Sequence, residues 1–169
     1  MMKKMIVICL LCLGCNSGPQ HPTERAERRF LEKYAVAAME SFQLRYIGLN
    51  VATSDKITDF GARFMINQLA DIDQARFLMI NSSQKFIESV NADPKLSKFL
   101  ANDSFKLENL DYYVSFWDDQ TDRPAKPYVA LATIKNGKIS YHFKCSDSDF
   151  LDESATVEES FEEALTRLK

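Results

Sequence analysis

The sequence predicts an α+β fold: a largely antiparallel sheet of about five strands with helices packed on one face. Three observations carry this. Apolar residues recur at helical spacing near both ends and in the middle of the chain. In between they alternate, as in half-buried strands. Asn136-Gly137 then lies between two alternating runs, the pair favoured by a two-residue hairpin turn.

Thr23 is the expected N-cap of a first helix, with Glu24 and Glu27 near its positive end and Phe30, Tyr34, Ala38 and Phe42 on its apolar side. Residues 43–53 turn β-like through Ile47, Leu49 and Val51, with Gly48 marking a bulge or a close approach. After a turn at 54–56, residues 57–66 give a second strand in which Phe60, Ala62, Phe64 and Ile66 share a face. Asp71 and Gln74 form a capping box for a central helix that buries Ala75, Met79, Phe86 and Val90 and ends near Asn91. Asp93-Pro94 restarts a short helix burying Leu96, Phe99 and Leu100. Leu110, Tyr112, Val114 and Phe116 mark a third strand, and 118–126 is a polar loop. Around Asn136-Gly137, Lys135 should face Lys138, Ile134 Ile139, Ala132 Tyr141 and Ala130 Phe143, which puts the last six on one face. Thr156 and Glu159 read as the capping box of a final helix with a Val157, Phe161, Leu165, Leu168 stripe.

The start of the chain reads as an address. Lys3 and Lys4 precede nine apolar residues, Met5 to Leu13, far short of the ~20 that cross a membrane. A basic start with a short apolar core is the pattern of a secretory signal peptide. Leu11-Cys12-Leu13-Gly14-Cys15 resembles the lipobox of bacterial lipoproteins. That resemblance implies cleavage before Cys15, a thioether-linked diacylglycerol on its sulfur and an N-acyl chain such as palmitate. The expected organisation is thus a signal peptide over 1–14, a lipidated Cys15 and tether over 15–22, and one globular domain over 23–169. Asn16, in place of an aspartate, leans the reading toward the outer rather than the inner membrane. The tether residues 16–22 reach at most about 25 Å, which keeps the domain near its membrane.

Composition is that of a globular protein, 46% hydrophobic and 27% charged. A net charge of −3, falling to −5 once Lys3 and Lys4 leave, argues against a nucleic-acid partner. Cys9 and Cys12 leave with the signal and Cys15 takes lipid, so Cys145 is expected to be an uninvolved thiol near a strand end.

No catalytic residue, metal site or cofactor is expected. His21 lies in the tether and His142 faces outward on the last strand of the hairpin, and its separation from Cys145 by three puts the two on opposite faces. Asp147, Asp149, Asp152 and Glu153, like Asp118, Asp119 and Asp122, read as solvated loops, since an EF-hand-type loop needs a turn glycine and a terminal glutamate at fixed spacing. The more suggestive pair is Tyr113 and Trp117, on the strand face opposite Tyr112, Val114 and Phe116. With helices on one side only, these two aromatics form a candidate binding surface.

Several stretches together resemble a family of uncharacterised lipoproteins of chlamydiae and other intracellular bacteria: Ala75-Arg76, the run Phe86-Ile87-Glu88-Ser89-Val90-Asn91, Leu100, Ser104-Phe105, Asn109-Leu110, Gly137-Lys138-Ile139-Ser140-Tyr141 and Glu162-Glu163-Ala164. The resemblance spans residues 40–165 and implies an anchored envelope protein without assigning it a chemical role. Three readings follow. The first is a non-enzymatic module that binds an envelope protein or glycan, or serves envelope architecture. The others are a small envelope hydrolase and a carrier of an apolar ligand. Convergent polar groups in a deep pocket would favour the hydrolase, an apolar cavity the carrier, and a flat aromatic patch the binding module.

Overall fold

The computed structural model describes residues 21–50, 55–118, 122–145 and 150–168. In chain order these form α1 (Pro22–Phe42), β1 (Arg45–Asn50), β2 (Phe60–Asn67), α2 (Ile72–Ala92), β3 (Leu110–Trp117), β4 (Leu131–Lys135), β5 (Lys138–Lys144), β6 (Leu151–Ser160) and α3 (Phe161–Arg167). The strands make one six-stranded sheet in sequence order. Every pairing is antiparallel except β2 with β3, which run parallel because α2 crosses between them.

One face of the sheet carries the core. Phe60, Ala62, Phe64 and Ile66 of β2, Leu110, Tyr112, Val114 and Phe116 of β3, Ala132 and Ile134 of β4, and Ile139, Tyr141 and Phe143 of β5 are buried in a single cluster with the helices. Its centre is aromatic. Phe86 of α2 packs against Phe30, Tyr34, Phe60, Phe105 and Tyr112 at centroid distances of 5.0–6.4 Å. The hairpin has the expected register, with Asn136 and Gly137 both at positive φ (51° and 74°). Gly48 belongs to the bulge between Tyr46 and Gly48 on β1, and a Cβ there would meet nothing. Gly61 is the constrained glycine, since a Cβ would lie 1.6 Å from the Asp111 carbonyl oxygen on β3.

The structure corrects several expectations. A sixth strand, β6, occupies what reads as an acidic loop and a helix start. The last helix begins a turn later, capped by Ser160 and Glu163 instead of Thr156 and Glu159. Val157 is therefore an exposed strand residue, and only Phe161, Leu165 and Leu168 of the expected stripe pack inward. His21, not Thr23, precedes α1; Thr23 is buried and its hydroxyl donates to the Asp55 carbonyl. Residues 93–100 make a turn and a 3₁₀ segment (Ser97–Phe99) instead of an α-helix. Ile57 stands outside β2 in an isolated bridge to Leu100. The β4–β5 ladder ends at Leu131 opposite His142, so Ala130 lies just before β4, its N–H donating to the His142 carbonyl. Val51, Ala52, Thr53, Asp119, Asp147 and Asp149 lie outside the described residues.

Candidate functional site

Alternation along β3 decides which side chains leave the core. Tyr112, Val114 and Phe116 are buried, whereas Asp111, Tyr113, Ser115 and Trp117 point to the other face and are half-buried. The described helices all pack on the core side. The outer face is instead a lattice of side chains in ladder register. Across the sheet, Arg63 (β2), Tyr113 (β3), Thr133 (β4), Ser140 (β5) and Glu158 (β6) form one row. Met65, Ser115, Leu131 and His142 form the next. Strand spacing of ~4.8 Å makes five positions about 19 Å wide.

Local contacts hold these groups in place. The Arg63 guanidinium lies over the Tyr113 ring, 5.2 Å from its centroid. Burial, aided by Asp111, pushes the Tyr113 hydroxyl up from its ordinary pKa, against the opposing pull of Arg63. Ser140 Oγ donates to Glu158 Oε1 at 3.1 Å, and Lys138 Nζ is 3.9 Å from Glu158 Oε2. His142 Nδ1 is 3.1 Å from Thr156 Oγ1. Burial lowers the His142 pKa against Glu158 and Glu153, so its ring is neutral at pH 7. It is a hydrogen-bonding residue of the face.

Tyr113 and Trp117 share this face but do not touch. Four residues of strand separate their Cα atoms by about 13 Å, with Ser115 between. Trp117 stands opposite Asn67 of β2, and its indole N–H is buried without an acceptor. Such a donor costs about 1–3 kcal/mol. The loop beyond it is tied back to the sheet by Lys126 on Asp152 (3.1 Å) and Lys144 on Asp122 (3.4 Å). Pro124 is buried there, while Pro127 follows a cis peptide and is exposed.

Reasoning from sequence missed a buried ionic cluster on the core side. Glu159, 2% exposed at its side chain, accepts at Oε1 from Arg76 Nε and from the Tyr141 hydroxyl, both at 2.7 Å, and at Oε2 from Arg167 Nη1 at 2.7 Å. Arg76 also contacts Asp73. Burial alone would lower the Arg76 pKa, but its bonds to Glu159 and Asp73 leave it raised; Tyr141 is raised by burial and by Glu159. The cluster fastens β6 and α3 to α2 and β5, and each Glu159 oxygen has a donor, so it is a structural clasp. Its signal was legible: Arg76 sits on the apolar stripe of α2 with Met79, Ile80, Ser83, Phe86 and Val90, where a charge requires a buried partner.

A second buried carboxyl has no such partners. Glu27 of α1 is fully buried, neither of its oxygens is hydrogen-bonded, and its pKa is pushed up to about 7 by burial and by Glu24, against Arg28. Cys145 is a half-buried free thiol whose N–H donates to the Phe150 carbonyl. Among the described residues no group of three or more His, Cys, Asp and Glu is placed to hold a metal ion, and no helix is long and apolar enough to cross a membrane. Cys15 lies outside the described residues. Comparison with known protein families, with curated proteins and with solved structures finds no match to this chain.

Proposed function

We propose that the chain is a lipid-anchored module of the bacterial envelope that binds glycan through the uncovered face of its sheet and carries out no chemistry of its own. The observation that carries this is the split of β3, which buries Tyr112, Val114 and Phe116 and leaves Tyr113 and Trp117 on a face that none of the described helices covers. A pyranose presents flat C–H faces and a rim of hydroxyls. It stacks on aromatic rings and exchanges hydrogen bonds with groups such as Arg63, Thr133, Ser140 and Glu158, which share the Tyr113 row. A protein partner would call for an apolar interface centre, whereas here the outer rows are mostly polar.

Anchoring rests on the sequence: Lys3, Lys4, the apolar run and Cys15 in the lipobox-like pentapeptide, supported by the resemblance to chlamydial lipoproteins. More than one acyl chain on Cys15 suffices for stable attachment, at about 0.8 kcal/mol per buried methylene. Replacing Cys15 by Ser is expected to abolish palmitate labelling and leave a soluble or uncut chain; unchanged labelling contradicts the anchor. Density-gradient fractionation is expected to place the labelled protein in the outer membrane. For the face, titration with chitotetraose is expected to give saturable binding weakened at least tenfold by Trp117→Ala and by Tyr113→Ala. Capture of an envelope protein through the same residues, with no oligosaccharide binding, would replace glycan by protein.

A further inference from the structure

Basic residues gather at the end of α1 from which the tether leaves. Arg25, Arg29 and Lys33 follow one another at intervals of four, so they form one exposed stripe along the helix, about 12 Å long. Phe99 closes a cleft of about 290 Å³ against this stripe, lined otherwise by Pro22, Ala26 and the two arginines. Lys33 borders a second cleft with Asp93 and Pro94, beyond the end of α2. The segment between the two clefts carries Lys95 and Lys98, both exposed, and the Lys98 carbonyl accepts from Lys56 Nζ at 3.2 Å. Six cations from three parts of the chain therefore border one surface.

Asp93 stands among them. Against the raising effect of burial, the Leu96 and Lys95 N–H groups and the charges of Lys33 and Arg29 hold its carboxyl below the usual range. Of the neighbouring acids, Glu24 is bound by Arg28 Nε at 2.8 Å and Asp55 by His21 Nε2 at 3.0 Å. Residues 15–20 and 51–54, which adjoin the patch outside the described residues, include no acidic side chain. Asp119, Asp147 and Asp149 follow the last residues of β3 and β5, at the other end of the sheet. The chain as a whole is acidic, but beyond ~8 Å its other charges are largely screened at physiological salt.

Two features select a membrane surface as the occupant. Residues 15–21 reach at most about 25 Å and join α1 at Pro22, itself a wall of the arginine cleft. With acyl chains on Cys15 in the bilayer, the headgroups are held within reach of these arginines at the effective concentration a short tether gives. The patch is also amphipathic, since Pro22, Ala26 and Phe99 line the same cleft as Arg25 and Arg29. Lipid phosphates suit the guanidinium groups and the glycerol and upper acyl region suits the apolar side chains. We infer that this basic surface of α1 and residues 93–99 docks on the anionic lipid surface in which Cys15 is anchored. The inference rests on the anchor reading for the membrane it names. Because α1 and α2 pack on the core side, docking places them between bilayer and sheet, and the row from Arg63 to Glu158 faces away from the lipid.

The test uses residues 15–169 with Cys15→Ser, a chain that holds every described residue and carries no acyl group, so docking is read apart from anchoring. It is sedimented with sucrose-loaded vesicles. Expected is binding to phosphatidylcholine vesicles containing about 30% phosphatidylglycerol, at least tenfold weaker on phosphatidylcholine alone. Raising the salt from ~0.05 to ~0.5 M is expected to abolish it. Arg25→Gln with Arg29→Gln, both at exposed positions, is expected to weaken binding at least tenfold with an unchanged melting temperature. Lys135→Gln with Lys138→Gln removes the same charge from the β4–β5 turn and is expected to change binding less than twofold. Absent binding, or equal binding to the two vesicles, overturns the inference; retention on polyglutamate would then give the patch to an acidic protein. An equal loss in the two double variants also overturns it, by reducing the effect to net charge. Palmitate labelling that survives Cys15→Ser in cells overturns the anchor instead, so the two failures are told apart.

Discussion

Strand β3 runs one sequence through two environments. Its inner residues Tyr112, Val114 and Phe116 are at most 1% exposed and belong to the aromatic centre built around Phe86. Its outer residues Tyr113, Ser115 and Trp117 differ little in composition, yet remain half-buried among polar and apolar neighbours of the flanking strands. The contrast lies in what faces them. Inside, helices supply rings and aliphatic side chains at packing distance; outside, the adjacent strands supply Arg63, Met65 and Asn67 from β2 and Leu131 and Thr133 from β4. An aromatic side chain on the inner face therefore holds the fold, while the same chemistry on the outer face is available for recognition.

The largest effect expected from breaking the inner face is at the clasp. Glu159→Ala leaves buried Arg76 with only the exposed Asp73 as counter-charge and is expected to cost about 3–5 kcal/mol by chemical denaturation. Replacing both groups, as Arg76→Met with Glu159→Leu, removes the charge and its partner together and is expected to cost much less. If the double variant is no more stable than Glu159→Ala, the pair is more than a local clasp. Phe86→Ala removes a ring that contacts five others and is expected to cost about 3–5 kcal/mol in the same measurement.

Next in size is a pH effect at Glu27. Its pKa is raised from 4.5 to about 7 in the folded protein, so the folded chain holds this proton more tightly than the unfolded one. The stability this confers is fully present below about pH 4.5 and is lost as the pH rises through about 7, a difference of about 3 kcal/mol. Glu27→Gln is therefore expected to match the parent near pH 4 and to be the more stable protein at pH 8. Melting curves at the two pH values check this; an equal gap at both contradicts a desolvated, unpartnered Glu27.

Much of this division was legible in the sequence. The alternation of 110–117 and the Asn136-Gly137 pair specify which side of the sheet is buried, because a slip of one residue would turn every side chain over. β6 was not legible. Asp152, Glu153, Ser154, Glu158, Glu159 and Ser160 are poor strand formers, and Thr156–Glu159 imitates the capping box that Ser160–Glu163 makes one turn later. Pairing with β5 overrides the weak propensity, and the charges suit an edge strand that must not recruit a neighbour. The parallel β2–β3 pair was hidden for a different reason, since alternation identifies a strand's faces but not its direction. Of the site, Tyr113 and Trp117 could be assigned to one face from period alone, whereas the row from Arg63 to Glu158 needed the register of five strands.

The smallest expected stability effect bears most directly on the claim that the two faces have different work. Thermal melting and chitotetraose titration of Trp117→Ala, set beside its inner neighbour Phe116→Ala, compare them on one strand. The account predicts that Trp117→Ala costs no more than about 1 kcal/mol and weakens oligosaccharide binding at least tenfold, whereas Phe116→Ala costs about 3–5 kcal/mol. A loss of stability at Trp117→Ala as large as that at Phe116→Ala, with oligosaccharide binding unchanged in the folded fraction, would contradict it.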